Sequence, residues 1–167
     1  MQGEHVILTD MLLCRERRAQ IQETFISQYH CPVISFCMNI PGPVKTNEQI
    51  RTAFESGKTA LLSKLENTPA EIKNSMEIHE KTGDELLLAI DYPAQKIKEL
   101  TTQIEETHPF GRLFDLDVID TDGQKLSRGS YRKCIICGCQ AQECARMRKH
   151  SVEEMQAKIE EMLHDAT

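Results

Sequence analysis

A chain of 167 residues, 40% of them hydrophobic and 28% charged, has the composition of one soluble globular domain and is too apolar for wholesale disorder. Its longest apolar run, Leu86 to Ile90, falls far short of the ~20 residues that cross a bilayer. No basic segment leads into an apolar stretch at the start, so no export signal is read and a cytoplasmic location is expected. With 20 basic against 26 acidic residues the net charge is −6, which disfavours a broad surface for nucleic acid or membrane but leaves room for a local basic pocket.

The first predicted element is a helix over about residues 11–29, with Asp10 as its cap and Leu13, Ile21, Phe25 and Ile26 near one stripe. Cys31-Pro32 ends it. Val33–Met38 reads as a strand, and Asn39-Ile-Pro-Gly-Pro43 as a loop that neither helix nor strand can continue. A second helix runs from about Asn47 to Glu66, with Ile50, Phe54, Leu61, Leu62 and Leu65 as its apolar face and Gly57 as a weak point. Ser75–Glu80 alternates as a strand, Lys81–Asp84 turns, and Glu85–Asp91 is a short buried strand.

Pro93 suits the first turn of a helix carrying Ile97, Leu100 and Ile104, which His108-Pro-Phe-Gly111 stops. Arg112–Asp120 is the clearest strand, and Asp122-Gly123 signals a hairpin into Gln124–Ser127. Val152, Met155, Ile159, Met162 and Leu163 mark a C-terminal amphipathic helix. The central order is strand, helix, strand, strand, helix, strand. It predicts an α+β fold: a mostly antiparallel sheet with helices on one face, a split βαβ-like core. An N-terminal helix and a cysteine-containing helical tail flank it. The expectation is a single domain over 1–167, with its core at about residues 30–130 and its tail at about 134–167.

Asp115 and Asp117 carry the clearest chemical signal. Residues two apart in a strand share a face, about 6.5–7 Å apart at Cα. Two carboxylates so placed repel unless a cation lies between them, and Mg²⁺ takes oxygen ligands of this kind in phosphoryl transfer. A strand with one solvated face is the bland alternative. Arg112 leads that strand, Arg128 and Arg132 follow the next one, and Lys45 follows the Pro-Gly-Pro loop; together with the acidic pair they would suit a polyphosphate, though each alone is an ordinary surface charge. The loop is not a Walker motif, and neither Gly-x-Ser-x-Gly nor His-Glu-x-x-His occurs.

Four of the seven cysteines fall between Cys134 and Cys144, and in a reducing compartment such a cluster is a metal site or free thiols before it is a disulfide framework. Cys134, Cys137, Cys144 and His150 read as Cys-x2-Cys-x6-Cys-x5-His. On one continuous helix Cys144 and His150 would lie about 120° apart, so a tetrahedral zinc site requires the helix to start after Cys144 or to bend there. Cys139 leaves the ligand set ambiguous.

Four segments taken in order resemble a bacterial family. They are Leu12-Leu-Cys-Arg-Glu-Arg-Arg18 with Gln22, Ser35–Lys45, His108–Asp120, and Arg132–Cys137 followed by Cys144–Ser151. The chain is similar to the apo-citrate lyase phosphoribosyl-dephospho-CoA transferases from about residue 10 to 155. The resemblance implies a transferase that takes triphosphoribosyl-dephospho-CoA and attaches its phosphoribosyl-dephospho-CoA part to a serine of the citrate lyase acyl carrier (gamma) subunit. Pyrophosphate leaves, so the reaction is nucleotidyl transfer in form.

That chemistry suggests roles. Asp115 and Asp117 would hold Mg²⁺; Arg112 and Lys45 would neutralise the pyrophosphate. Arg15 and Arg18 would add phosphate contacts, and Asn39 and Gly42 would meet the donor at the loop. Zinc on the cysteine cluster would be structural. Arg146, Arg148 and Lys149 offer a docking strip for an acidic carrier. Two rival readings stand beside this one: a carrier-binding module with a structural zinc and no catalysis, and a phosphopantetheinyl-type transferase acting on CoA itself. Neither nucleic acid nor membrane is an expected partner.

Overall fold

A computed structural model describes residues 1–165. Four strands, β1 (Val33–Met38), β2 (Glu71–Glu80), β3 (Gly83–Asp91) and β4 (Phe114–Ile119), form one sheet in the order β2-β3-β1-β4, every pair antiparallel. The helices are α1 (Leu8–Tyr29), α2 (Glu48–Glu66), α3 (Ala94–Thr107), α4 (Ala141–Arg146) and α5 (Val152–Asp165). This is the expected α+β, split-βαβ arrangement.

The period of two in the strands divides the sheet cleanly. Ile34 and Phe36 of β1, Leu86, Leu88 and Ile90 of β3, and Leu116 and Val118 of β4 face α2 and α3 in the main core, which also takes in Ile159 and Leu163 of α5. The helix α2 supplies Ile50, Ala53, Phe54, Gly57, Leu61 and Leu65, all buried, at the spacing of one helical face. It sits close. A side chain on Gly57 would stand 2.6 Å from Phe114 and 2.8 Å from Phe36, and Phe36 stacks on Phe54 with ring centroids 4.8 Å apart. The opposite face carries α1, whose Phe25 packs with Val33, Leu87 and Ala89.

Several boundaries differ from the sequence reading: β2 starts at Glu71, four residues before the expected Ser75, and β3 at Gly83, inside the expected Lys81–Asp84 turn. The helix α1 begins at Leu8, and Asp10 lies inside its first turn, where its carboxylate accepts from the Ile7 amide at 3.2 Å. The expected strand from Arg112 begins only at Phe114, because Gly111–Leu113 form a 3-10 turn. The hairpin after Asp122-Gly123 forms its turn, with Gly123 at φ 83°, but its return arm pairs only at Lys125 opposite Ile119 and makes no strand. Asn47, expected as the first helical residue, caps α2 instead, its side chain accepting from the Ile50 amide at 2.9 Å.

Candidate active site and metal-ligand cluster

On the α1 face the register lines up Glu85, Cys37 and Asp115 in one row and Leu87, Ser35 and Asp117 in the next. The helix α1 packs over β3 and β1, and both aspartates at the β4 end stay half-buried. Burial, and next the charge of Asp115, push the Asp117 carboxyl up to about 6, against the pull of Lys125 and Lys98. The Lys125 ammonium stands 3.8 Å from Asp117. Two carboxylates on one strand face, kept from full hydration, repel each other unless positive charge lies between them.

Glu85, in the same row as Asp115, is buried and answers to α1. Arg18 donates to one of its oxygens, and Arg17 and Cys14 reach the other at 3.1 and 3.5 Å. Arg18 thus has a protein partner already, whereas Arg15 is exposed. Lys45 donates to the carbonyl of Ile40 at 2.7 Å; burial, then the neighbouring charge of Arg15, hold its ammonium below the ordinary lysine range.

Arg112 belongs to another group. Burial, then the charges of Arg132 and Arg128, lower its pKa. The buried carboxylate of Glu105 lies 3.5 Å from Arg128 and 3.8 Å from Arg132. Arg112 and Asn39 line a cavity of about 630 Å³ with Arg132, Arg148 and α5. So the candidate residues fall into three sets: the aspartates on the sheet, Lys45 beside Arg15, and Arg112 with Asn39 at the cavity. Gly42 has φ +87°, and a side chain there would strike Gln156 of α5; Gln156 in turn donates to the Pro41 carbonyl at 3.4 Å.

Two residues at the site were not anticipated. Lys98 and Glu105, seven apart on α3 and both buried, reach the edge of β4: Lys98 donates to the Leu116 carbonyl at 3.2 Å and Glu105 accepts from the Leu116 amide at 3.0 Å. They satisfy the outward backbone of the residue between the aspartates. The signal was present in the sequence, since positions 97, 98, 101, 104 and 105 form one buried stripe, and charges on such a stripe need partners.

The cysteine segment meets the condition that its spacing set. The helix α4 ends at Arg146, Arg148 takes a left-handed φ of 49°, and α5 starts at Val152. The chain bends between Cys144 and His150. The ligand atoms of Cys134, Cys137, Cys144 and His150 then all lie within 4.8 Å of one another, with Cys137 and Cys144 sulfurs 3.5 Å apart. A tetrahedral ion with ~2.3 Å metal–sulfur bonds separates its sulfurs by about 3.8 Å, so the set fits one ion. His150 Nε2 is buried without a hydrogen-bond partner, and the thiols are free. Cys139 lies outside the group, exposed, 4.0 Å from the Lys149 ammonium. The expected docking strip is divided, since Arg146 pairs with Glu143 at 2.8 Å and Lys149 turns to Cys137 at 3.6 Å.

An α+β fold with paired strand aspartates and an arginine-lined cavity has the parts of a phosphate-handling transferase. Comparison with known proteins makes this specific. The family model described as "Apo-citrate lyase phosphoribosyl-dephospho-CoA transferase" matches residues 6–166. A Vibrio cholerae serotype O1 protein named "Probable apo-citrate lyase phosphoribosyl-dephospho-CoA transferase" is 40% identical over 165 residues, covering 96% of this chain and 93% of its own. A Citrobacter koseri protein named "Apo-citrate lyase phosphoribosyl-dephospho-CoA transferase" is 34% identical over 165 residues, covering 96% and 90%. One from Escherichia coli O157:H7 with that name is 32% identical over 164 residues with the same coverage. The chain belongs to the apo-citrate lyase phosphoribosyl-dephospho-CoA transferase family.

Proposed function

We propose that the protein transfers phosphoribosyl-dephospho-CoA from triphosphoribosyl-dephospho-CoA to a serine of the citrate lyase acyl carrier (gamma) subunit. The serine oxygen attacks the ribose-linked phosphorus of the triphosphate. The bond to pyrophosphate breaks, the serine proton is lost, and a phosphodiester remains, so the reaction is of the nucleotidyltransferase type. The observation that carries this reading is the pair Asp115 and Asp117, side by side and half-buried on an otherwise packed strand.

Asp115 and Asp117 would hold Mg²⁺, which when bound draws charge from the phosphate oxygens. Lys45 and Arg15 on one side and Arg112 on the other supply positive charge for the phosphates, with Asn39 at the cavity edge. Arg18 acts through Glu85, and Gly42 shapes the loop beneath α5. Cys134, Cys137, Cys144 and His150 would hold a structural Zn²⁺, the ion that three thiolates and an imidazole favour in a tetrahedral site. Among the described residues no helix is long and apolar enough to cross a membrane. The free thiols suit the reducing cytoplasm, where we place the reaction.

Intact mass spectrometry of the apo carrier subunit, incubated with this protein, Mg²⁺ and the donor, tests the reading. A mass increase equal to the phosphoribosyl-dephospho-CoA group, abolished by chelating Mg²⁺, is expected. An increase that survives chelation would remove the metal role of the aspartates. No increase with carrier binding intact would leave a docking module.

A further inference from the structure

We propose that the cysteine–histidine cluster does more than stabilise the tail: by holding one zinc ion it builds the wall of the cavity beside it, and that cavity seats the dephospho-CoA part of the donor. This rests on the transferase reading above and assigns a place to one portion of its substrate. Three of the four clustered residues, Cys134, Cys144 and His150, line the cavity themselves. Arg148, Ser151 and Val152, which flank His150 in the same segment, line it too. The segment that turns through a left-handed Arg148 is therefore both an arm of the metal site and a side of the pocket.

The chemistry of the walls selects the ligand. Of the three arginines lining the cavity, Arg132 donates to the Gly111 carbonyl at 2.8 Å and faces Glu105 at 3.8 Å. Among the described residues neither Arg112 nor Arg148 has a salt-bridge partner, so two of the cavity's guanidinium groups are open to an anionic ligand, with Glu105 acting on Arg112 from a distance. Val152, Met155 and Ile159 of α5 face it with an apolar surface. A cavity of about 630 Å³ is the size of a small-molecule site. Arginine forks beside an apolar wall suit a diphosphate ester with a long, weakly polar arm. Dephospho-CoA is such a molecule.

The α5 wall is anchored well at one end and lightly at the other. Ile159 and Leu163 sit in the main core, whereas Gln156 holds the first turns to the loop by one hydrogen bond of 3.4 Å to Pro41. A zinc–His150 bond would fix that lighter end at the ligand. Because the coupling is thermodynamic it runs both ways: zinc should tighten dephospho-CoA binding, and dephospho-CoA should tighten zinc by the same factor.

The test uses the full-length protein without Mg²⁺ and dephospho-CoA as the probe. Zinc content is measured first, then calorimetric binding of dephospho-CoA before and after zinc removal, then zinc extraction by a chromogenic chelator with and without dephospho-CoA. The expectation is one zinc per chain, at least a 10-fold weaker dephospho-CoA affinity in the zinc-free protein, and slower extraction in the presence of the ligand. Cys137→Ser should lose zinc and affinity together, whereas Cys139→Ser should retain both. Arg112→Gln should keep its zinc and still bind dephospho-CoA at least 10-fold more weakly, which locates the ligand even if the zinc-free tail unfolds. A protein that binds no zinc, equal affinity with and without it, or unchanged affinity in Arg112→Gln each overturns the proposal. If the carrier subunit is still modified in those cases, the transferase reading survives; if dephospho-CoA does not bind and no transfer occurs, both fall.

Discussion

Lys98 of α3 donates its hydrogen bond to the carbonyl of Leu116, the residue that separates Asp115 from Asp117. An edge strand normally leaves such a carbonyl to water. Here Leu116 is 1% exposed, so water cannot replace the lysine. Lys98→Met keeps the packing of the stem and strands the carbonyl, and is expected to cost about 1–3 kcal/mol. Urea unfolding monitored by circular dichroism measures this, and an unchanged midpoint would show that the carbonyl finds another partner.

The aspartates should behave in the opposite sense. Asp117→Asn and Asp115→Asn each remove a like-charge repulsion and should leave the melting temperature unchanged or raised. Transfer to the carrier subunit should fall on the order of 10²–10³-fold, the cost of removing one group that stabilises transition-state charge. Initial rates of carrier mass increase, read beside thermal melts of the same samples, separate this from simple misfolding.

Gly57 offers a test of packing. In an exposed helix interior, alanine in place of glycine stabilises by ~1 kcal/mol. At position 57 the added methyl meets Phe114 and Phe36 at under 3 Å, and the stacked ring of Phe54 behind Phe36 blocks retreat. Gly57→Ala is therefore expected to destabilise by about 1–3 kcal/mol, visible as a lower denaturant midpoint.

His108 gives the fold a pH dependence. Its Nδ1 accepts from the Phe110 amide at 3.0 Å while Nε2 faces Ser56 Oγ at 3.1 Å, an arrangement that needs the neutral ring. Burial lowers its pKa, with the Ser56 contact opposing. The folded pKa lies below the unfolded value of about 6.5, so the unfolded chain takes the proton first. Its contribution is complete above the unfolded value and is lost as pH falls through it, levelling off below the folded pKa. His108→Asn keeps an acceptor for Phe110 and removes the titration. Its melting temperature should drop less than that of the native chain between about pH 7.5 and 5.5.

Much of the architecture could be read from the strands, because alternation of Leu86, Leu88 and Ile90 or of Leu116 and Val118 is a local property. The side of the sheet taken by α1 was not local: it follows from Phe25 meeting Leu87 and Ala89, residues far from it in the chain. The metal-ligand cluster was legible as a spacing, and its geometry turned on a single left-handed residue, Arg148, that no propensity announces. Arg112 and Lys45 were expected to act together, yet they take different charged neighbours, Arg132 and Arg15 respectively. Sequence separation carries little information about which end of a loop a side chain will face.

The side-chain closure of Leu116 bears on how this protein can approach another polypeptide. With Lys98 and Glu105 occupying its outer backbone groups, and Leu126 donating to the Val118 carbonyl, β4 has little left with which a visiting chain could extend the sheet. The free margin is β2, on the far side of the fold from the aspartates. On the transferase reading, a flexible acceptor segment reaching Asp115 and Asp117 would arrive side chain first, and could leave again without having been stitched into the sheet.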